Sequence, residues 1–450
     1  MDIQKQNQEF VLGQSTRRDF IKKVGWGVGG ALVGSSVLAA CGADGETVVP
    51  DTTIGEVVPA AEITGDVSFW AWGAGLEGEL IGKRIEYFKS KYPKVNVEWE
   101  PLAKNGYEEY PALLARMAAG DPPDVMRLLN FQPTQLVSQG SALLALDDYI
   151  AATPDFDASD FFDVGMRGSK VDGTTYAIPD NGEPYYIYYN SDAFKAAGLD
   201  DPQTLFQAGM WNEEAFTKSI DALTGKGGMK FGIAFEAWTY DNFCFMGGGT
   251  ILDSSLKATI DQGASPAMLQ YFADLVKNGK APSPVVGGGA QLEAFRNGQA
   301  GMYLMGAWWG GSLDETPPGF KWNMTGLPSF NGVRGCKIEV GTLGISSQTK
   351  SPDAAWAFVK TLTDTTGMVT WSPVATPMRK SAIEPAGLNK VQWKLDHQAM
   401  LEAASFTPFT TKGNAVDVAV SAALDLMWAG KSSAADATKE AAKLITEALN

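Results

Sequence analysis

The chain has 450 residues, of which 45% are hydrophobic and 20% charged, and its formal net charge at pH 7 is −16. This length and composition favour a folded protein of two domains over a disordered chain. The negative charge disfavours nucleic acid as a partner. His397 is the only histidine, so a His-rich metal site is excluded, and a Ser-His-Asp triad would need that residue. We therefore expect no metal and no cofactor.

The N-terminal segment has the features of an export signal. Basic residues, Arg17 and Arg18 among them, precede a weakly apolar, glycine-rich run from 24 to 40 that is short for a membrane span. Residues 15–22, Ser-Thr-Arg-Arg-Asp-Phe-Ile-Lys, resemble the twin-arginine export signal. The alternative is a surface Arg-Arg pair before an N-terminal helix, and the complete octet favours export.

A cysteine follows the apolar run in the sequence Leu-Ala-Ala-Cys-Gly, residues 38–42. This resembles the lipobox of bacterial lipoproteins, in which the cysteine is lipidated and becomes the new N-terminus; the alternative is ordinary Ala-x-Ala cleavage beside a chance cysteine. We predict a signal peptide over 1–40, lipidation of Cys41, and a lipidated flexible tether over 41–64, which contains no aromatic residue. The chain would lie on the extracellular face of the cytoplasmic membrane, held there by the lipid anchor only.

Two cysteines remain in the folded part. Cys244 and Cys336 are the only pair that could form a disulfide if Cys41 is lipidated. The geometric demands of a disulfide lead us to expect that they stay unpaired.

The folded part begins with a pattern typical of a βαβ unit. Residues 66–73 form a β-rich run that ends at Gly73, and apolar residues at helical spacing follow from Leu76 to Phe88. Tyr92-Pro93 ends this helix, and valines alternate with polar residues at 95–97. The pattern predicts two parallel strands joined by a helix.

The same alternation of strands and helices continues to the C-terminus. An amphipathic helix from Tyr107 to Met117 ends at Gly120, and residues 124–129 and 231–235 each read as a buried strand. Asn212 and Ser351 are placed to cap later helices, and residues 433–449 form an alanine-rich closing helix. The predicted fold class is α/β.

Five groups of motifs resemble the family of extracellular solute-binding proteins that includes maltose-binding protein. The resemblance extends from Gly65 to the C-terminus, and the number and order of the motifs carry it. They are the opening strand 67–73 with Phe88-x-x-x-Tyr92-Pro93; Ala118-Ala119-Gly120-Asp121-Pro122-Pro123-Asp124-Val125; Val171-Asp172-Gly173 with Tyr176-Ala177-Ile178-Pro179, Tyr188-Tyr189-Asn190-x-x-x-Phe194 and Ala197-Gly198-Leu199; Phe295-Arg296-Asn297-Gly298-Gln299-Ala300-Gly301-Met302 ending Gly306-Ala307-Trp308; and Ser351-Pro352-Asp353-Ala354-Ala355-Trp356-x-Phe358-Val359.

The resemblance implies a two-lobed, periplasmic-binding-protein-like fold of the class II type, in which a hinge of crossing segments joins the lobes and the ligand binds between them. It assigns 65–180 and 320–368 to lobe 1, and 181–319 and 369–450 to lobe 2. It also implies a monomer that delivers its ligand, a sugar or oligosaccharide, to the transmembrane permease subunits of an ABC importer.

A sugar presents apolar ring faces and a rim of hydroxyl groups, so its site needs flat aromatic side chains and polar groups that hold the rim. Ligands of open α/β sheets bind beyond the carboxyl ends of strands. Trp72 ends the first strand, and Asn130 and Gln132 follow the strand at 124–129. Trp72 could instead belong to the core, and the two amides could instead cap the next helix.

The resemblance supplies the remaining candidates. It implies that the segment 181–185 crosses between the lobes and brings Glu183 to the sugar, where the alternative is an acid on a surface loop. Glu236 and Trp238 match an acid and an aromatic residue that clasp sugar, although Ala237 replaces the proline of the best-known members. Trp308 matches a stacking tryptophan. The full predicted ligand set is Trp72, Asn130, Gln132, Asn181, Glu183, Tyr185, Glu236, Trp238, Asp241, Trp308, Trp309 and Thr342.

Three other functions stay open. A secreted glycoside hydrolase would need Glu183 and Glu236 about 5–10 Å apart with one raised pKa, and nothing in the local sequence places either acid against an apolar wall. The same fold could bind a peptide, a metal chelate or an organic anion; the candidate set contains no arginine or lysine, which disfavours an anion. A structural lipoprotein without a ligand leaves the aromatic-acid pairs at strand ends unexplained.

Overall fold

The computed structural model describes residues 62–450 except 74, 103, 105, 139, 141, 287, 288, 311, 312, 314, 315 and 389–395. Arg17, Arg18 and Cys41 lie outside the described residues. The strands are β1 Gly65–Trp72, β2 Val95–Leu102, β3 Val125–Leu129, β4 Lys170–Val171, β5 Thr174–Thr175, β6 Ala177–Asn190, β7 Phe231–Phe235, β8 Ala300–Gly306, β9 Trp322–Gly326, β10 Cys336–Ile345 and β11 Ala404–Ser405.

The helices are α1 Leu76–Lys91, α2 Gly106–Ala118, α3 Gln132–Ser138, α4 Asp147–Ala151, α5 Asp163–Gly168, α6 Ser191–Ala196, α7 Pro202–Gln207, α8 Glu213–Leu223, α9 Tyr240–Met246, α10 Ser265–Lys277, α11 Ala290–Arg296, α12 Pro352–Leu362, α13 Thr365–Trp371, α14 Lys380–Ile383, α15 His397–Ala403, α16 Gly413–Trp428 and α17 Ala434–Leu449. Short 3-10 turns occur at Ala158–Asp160 and Ala237–Thr239. In the part of the chain that the structure describes, no helix combines the length and the apolar character that a membrane crossing requires.

The opening βαβ unit is confirmed. β1 pairs in parallel with β2 along its whole length, and α1 joins the two strands. β3 pairs in parallel with the other edge of β1. Trp70 of β1 is 1% exposed and packs with Leu113, Met126 and Leu128, so it belongs to the core as the alternation of side chains predicts.

The described residues build a nine-stranded mixed sheet in the order β2-β1-β3-β10-β6-β8-β7, with β11 beside β10 and β9 beside β6. β10 and β6 are the long strands that join its two halves. β10 runs antiparallel to β3, and residues 177–184 of β6 run antiparallel to β10. Residues 185–190 of β6 instead lie between β8 and β9. A single strand therefore begins beside the β1–β3 half and ends in the β7–β9 half.

A β-bulge interrupts the pairing of these two strands. Gly341 is paired with Asn181 and the next residue, Thr342, with Pro179, so Asp180 is the extra residue. Bulges bend a strand and redirect side chains, and they are common beside functional sites. The bulge lies where β6 pairs with β10, whose other edge pairs with β3.

Two predicted helix caps have different outcomes. Asn212 caps α8, because its side-chain oxygen accepts a hydrogen bond of 3.1 Å from the backbone N–H of Ala215. Ser351 occupies the predicted cap position before Pro352, but its side chain makes no capping hydrogen bond. The backbone N–H of Ser351 donates instead to Thr349 Oγ1 at 3.2 Å.

The reactive groups of the described residues are engaged in packing. Cys244 and Cys336 are buried free thiols, and burial raises the pKa of each to about 12. His397 is buried and contacts Tyr186 Oη through Nδ1, and its Nε2 is 3.4 Å from Thr376 Oγ1. Among the described residues, no group of three or more His, Cys, Asp and Glu side chains could hold a metal ion.

Candidate ligand-binding site

The two long strands carry a row of polar side chains. Glu183 is paired with Glu339, and Asn181 is paired with Gly341. Side chains two residues apart in a strand point to the same face. One face of β6 and β10 therefore carries what we call the central row: Asn181, Glu183, Tyr185, Lys337 and Glu339.

Hydrogen bonds and ion pairs connect this row. Asn181 Nδ2 donates to Glu183 Oε1 at 3.3 Å, and the same oxygen accepts from the backbone N–H of Thr376 at 3.4 Å. Lys337 Nζ lies 3.1 Å from Glu339 Oε1. It also lies 3.2 Å from Asp241 Oδ2 at the start of α9, so the predicted residue Asp241 joins the row through Lys337.

The row carries an excess of negative charge. Burial alone would lower the pKa of Lys337, but the carboxylates of Asp241 and Glu339 outweigh burial and hold that pKa well above its usual value. Lys337 is therefore a charged ammonium group. Asp241 and Glu339 both contact this ammonium, so these three groups have a formal charge of −1. Glu183 is connected instead to Asn181, whose amide oxygen accepts a hydrogen bond from Arg127.

Aromatic side chains from the β7–β9 half meet at Tyr185. The Trp308 ring stands edge-on to the Tyr185 ring, with centroids 5.4 Å apart and planes at 87°. The Trp238 ring is 6.3 Å away at 71°, and Lys337 Nζ is 5.8 Å from its centroid. Tyr185 Oη is buried and has no hydrogen-bond partner among the described residues. Such an unsatisfied buried hydroxyl is unusual in a native protein.

Trp72 lies at the end of β1, on the β1–β3 side of the row. It is half-buried, and the guanidinium of Arg127 lies 4.3 Å from the centroid of its ring. Gly106 at the start of α2 lies against the ring edge, where an added Cβ would be 2.7 Å from Cζ3. Arg127 Nη2 also donates to Asn181 Oδ1 at 3.3 Å, which links Trp72 to the central row.

A further aromatic pair was missed by the sequence reading. The rings of Tyr107 and Phe131 are stacked with centroids 5.2 Å apart, and Tyr107 is 49% exposed. Tyr107 Oη donates to Glu339 Oε2 at 3.4 Å. This hydrogen bond brings an exposed aromatic ring to the central row.

Glu236 follows β7 and lies in a different environment from the central row. Its Oε1 accepts a hydrogen bond of 3.2 Å from Tyr303 Oη, and the carboxyl is half-buried. Burial raises the pKa of Glu236 to about 7, although the Tyr303 hydrogen bond opposes the shift. The local sequence gave no sign of this burial, because the contact that the structure shows for the Glu236 carboxyl comes from Tyr303 in β8.

Seven of the twelve predicted residues are buried: Asn181, Tyr185 and Asp241, which were described above, and Gln132, Thr342, Asn130 and Trp309. Gln132 is 0% exposed: its Oε1 accepts from the backbone N–H of Leu129 at 2.8 Å, and its Nε2 donates to the carbonyl of Gly106 at 2.8 Å. Thr342 is also 0% exposed, and its Oγ1 donates to the carbonyl of Leu128 at 3.4 Å.

Asn130 is 2% exposed, and its backbone N–H donates to Val340. Trp309 is 6% exposed and lies 5.6 Å from the guanidinium of Arg296.

The residues predicted from sequence include no arginine or lysine, yet two cations lie among them. Arg127 and Lys337 both contact candidate residues, and neither was recognised from sequence. Each left a signal: Arg127 is a charge inside the apolar strand Val125–Leu129, and Lys337 and Glu339 alternate with apolar residues along β10. A buried charge of this kind needs partners, so it points to an organised cluster.

Comparison with known proteins agrees with this architecture. Residues 74–369 match the family model described as bacterial extracellular solute-binding protein. The sn-glycerol-3-phosphate-binding periplasmic protein UgpB of Brucella abortus is 26% identical over 286 residues, which cover 59% of this chain and 62% of that protein. The chain thus spans less than two thirds of that relative's length.

Solved structures share the fold across most of the chain. The sugar-binding protein MalE from Xanthomonas citri superposes with a TM-score of 0.75 at 21% sequence identity. The superposition covers 86% of this chain and 97% of the MalE chain. An ABC substrate-binding protein from Listeria monocytogenes in complex with cycloalternan gives 0.70 at 19% identity, covering 86% and 99%. The two-lobed α/β fold predicted from the motifs is confirmed. With two thirds of its length matched by the family model, the chain belongs to the bacterial extracellular solute-binding proteins.

Proposed function

We propose that this protein captures a sugar or oligosaccharide and delivers it to the permease of an ABC importer. One observation carries the proposal: three tryptophan rings lie beside the central row of hydrogen-bonding side chains. Trp238 and Trp308 contact Tyr185 of the row, and Trp72 is linked to it through Arg127. Aromatic faces match the apolar faces of a sugar ring, and carboxylates and amides match its hydroxyl rim. The solved neighbours include proteins bound to maltose and to cycloalternan.

The charge of the site favours an uncharged saccharide over a phosphorylated ligand. Several relatives are named for binding sn-glycerol-3-phosphate, which is an anion. Here Lys337 is already paired with Asp241 and Glu339, and these three groups have a formal charge of −1. A phosphate beside Lys337 would meet two carboxylates for one ammonium, so the site would compensate the desolvation of the phosphate poorly.

We propose binding without cleavage. The raised pKa of Glu236, to about 7, is the one observation that favours the glycoside hydrolase alternative, since a general acid needs such a shift. Its hydrogen bond from Tyr303 equally suits a binding role, in which the carboxyl meets a sugar hydroxyl. Incubation with oligosaccharides, followed by chromatography of the products, separates the two functions: a hydrolase releases shorter sugars, and a binding protein returns the substrate intact.

The domain division and the motion are part of the proposal. Lobe 1 would comprise 65–180 and 320–368, and lobe 2 would comprise 181–319 and 369–450, with hinge closure on the ligand. α13 packs on α1, and residue 379 forms a β-bridge with 161; these contacts support moving 369–383 from lobe 2 to lobe 1. The protein would act as a monomer.

Export and anchoring complete the proposal. The twin-arginine pair Arg17 and Arg18 would direct export, and a lipid on Cys41 would hold the mature protein on the extracellular face of the cytoplasmic membrane. The motifs themselves support this, together with the extracellular character of the family.

A thermal-shift screen tests the ligand class. The panel contains maltose, mannobiose, mannotriose, tagatose and glycerol-3-phosphate. A saccharide should raise the melting temperature in proportion to its occupancy of the folded state, and glycerol-3-phosphate should not. A shift with glycerol-3-phosphate alone would show that the site takes an anion.

A further inference from the structure

Burying the charge of Arg127 in the middle of a strand costs free energy. It is 5% exposed, in the apolar strand Val125–Leu129, and its Nε has no hydrogen-bond partner among the described residues. Replacing buried ions by apolar residues often stabilises a protein, so stability alone does not explain such a charge. The partners of Arg127 indicate what the charge does.

The first partner is Trp72, the candidate residue for contact with a sugar ring. The guanidinium lies 4.3 Å from the centroid of the Trp72 ring and 4.8 Å from that of Trp371, so two indoles flank it. Arg127 Nη1 also donates to the carbonyl of Trp72 at 3.3 Å. A planar guanidinium that stacks and donates in this way fixes both the ring and the end of β1. Trp72 stays half-buried, so part of its ring surface remains accessible.

The second partner is Asn181 in the central row. Arg127 Nη2 donates to Asn181 Oδ1 at 3.3 Å, and arginine cannot accept a hydrogen bond. The amide oxygen must therefore face Arg127, which turns Nδ2 towards Glu183 Oε1 at 3.3 Å. Arg127 thus sets the orientation of an amide whose other end holds the carboxylate proposed to grip the ligand.

The backbone is shaped to permit this contact. The bulge at Asp180 brings Asp180 and Asn181 both to Arg127, whose Nε lies 3.8 Å from Asp180 Oδ2. Gly341 faces Asn181, and an added Cβ there would overlap Asn181 Oδ1. The bulge and the glycine leave room for the amide beside the guanidinium.

We propose that Arg127 is a positioning residue for the sugar site. It fixes the Trp72 ring by stacking against it, and it orients Asn181, and through Asn181 also Glu183, before the ligand binds. This inference rests on the proposed function, because it concerns residues of the same site. Preorganisation of this kind contributes to affinity by removing the cost of ordering the side chains on binding.

Arg84 offers a matched control. It is 2% exposed, forms an ion pair with the same Asp180, lies 5.1 Å from the same Trp371 ring and donates to the carbonyl of Leu362 at 2.6 Å. None of its described contacts is with Trp72 or Asn181. Arg84→Lys and Arg127→Lys keep the charge and lose the planar guanidinium, so both should lower the melting temperature.

The affinity of the two variants is compared by calorimetry, with the saccharide that most raises the melting temperature as the probe. Arg127→Lys should weaken binding about tenfold, the equivalent of one lost charge-assisted hydrogen bond. Arg84→Lys should change it less than about twofold, because the described contacts of Arg84 are with Asp180, Trp371 and Leu362 and not with Trp72 or Asn181. Equal losses in the two variants would overturn the proposal, because they would mark a general effect of a loosened core.

A measurement without ligand keeps the two proposals separable. The chain has 13 tryptophans, so the signal of Trp72 is isolated by subtracting the fluorescence of a Trp72→Phe partner in each background. Acrylamide should quench Trp72 more strongly in Arg127→Lys than in wild type or Arg84→Lys. Unchanged quenching overturns the positioning role, even if saccharides bind. If no saccharide binds, the proposed function fails while this readout still decides the role of Arg127.

A second variant guards against misfolding of Arg127→Lys. Gly341→Ala leaves Arg127 in place and displaces the Asn181 amide by steric overlap. It should weaken saccharide binding several-fold, without added quenching of Trp72. Unchanged affinity in a folded Gly341→Ala protein would show that the orientation of Asn181 is irrelevant to binding and would overturn that arm of the proposal.

Discussion

Removal of the Trp308 ring should weaken ligand binding far more than it weakens the fold. The ring is half-buried and edge-on to Tyr185, with centroids 5.4 Å apart, and it folds back over Gly306. Truncating a stacked tryptophan in a desolvated pocket costs roughly 2–4 kcal/mol of binding free energy. That range corresponds to about a 30- to 1,000-fold increase in Kd. The loss of the edge-on aromatic pair should cost the folded state about 0.5–1.5 kcal/mol, and the apolar area of a half-buried ring adds to that cost.

The assay is calorimetric titration of Trp308→Ala with the best saccharide from the screen, with the melting temperature measured in parallel. Trp211→Phe is the control, because Trp211 is a fully buried core residue whose Nε1 donates to the carbonyl of Gly326. It should lower the melting temperature and leave Kd unchanged. A folded Trp308→Ala protein with wild-type affinity would refute the stacking role.

Four further outcomes are expected. Glu183→Gln keeps the shape and loses the charge, so calorimetry should show a loss on the order of 1–2 kcal/mol, and a wild-type Kd would remove Glu183 from the site. Burial raises the folded-state pKa of Glu236 to about 7 from an ordinary 4.5. The contribution of Glu236 to stability is therefore complete below about pH 4.5 and is lost as the pH rises through 7. The free energy of unfolding of Glu236→Gln, measured against pH, should lack this decline; an equal decline in the variant and the wild type would contradict the prediction. Cys41→Ala should release a folded protein from the membrane fraction, whereas retention after a salt wash would exclude the lipid anchor. The double substitution Arg17→Lys with Arg18→Lys should leave precursor in the cytoplasm, and normal export of that variant would point to the general secretory route.

The local elements were predictable because their signals are local. Period-two and helical patterns gave β1, α1, β2 and β3, and a polar residue before two glutamates located the start of α8. The route of β6 was not predictable from propensity. Residues 177–190 include Pro179, Gly182 and Pro184, which are poor strand formers, yet they form one strand of 14 residues. Pairing with β10 on one edge and with 376–377 on the other overrides the local preference.

The site was predictable in its aromatic and acidic members and not in its connections. The family resemblance identified individual candidate residues such as Trp308 and Glu183. Their binding roles remain predictions. Contacts between distant segments, such as Tyr107 with Glu339 or Lys337 with Asp241, leave no mark in a single sequence. Burial of Gln132 was equally invisible, because its backbone partners come from Leu129 and Gly106.

A crystal structure of the protein with the saccharide that most raises its melting temperature tests the central claim most directly. The account predicts a sugar ring in van der Waals contact with the face of Trp308 and a hydroxyl within hydrogen-bond distance of Glu183. A saccharide bound with neither residue in contact would contradict it.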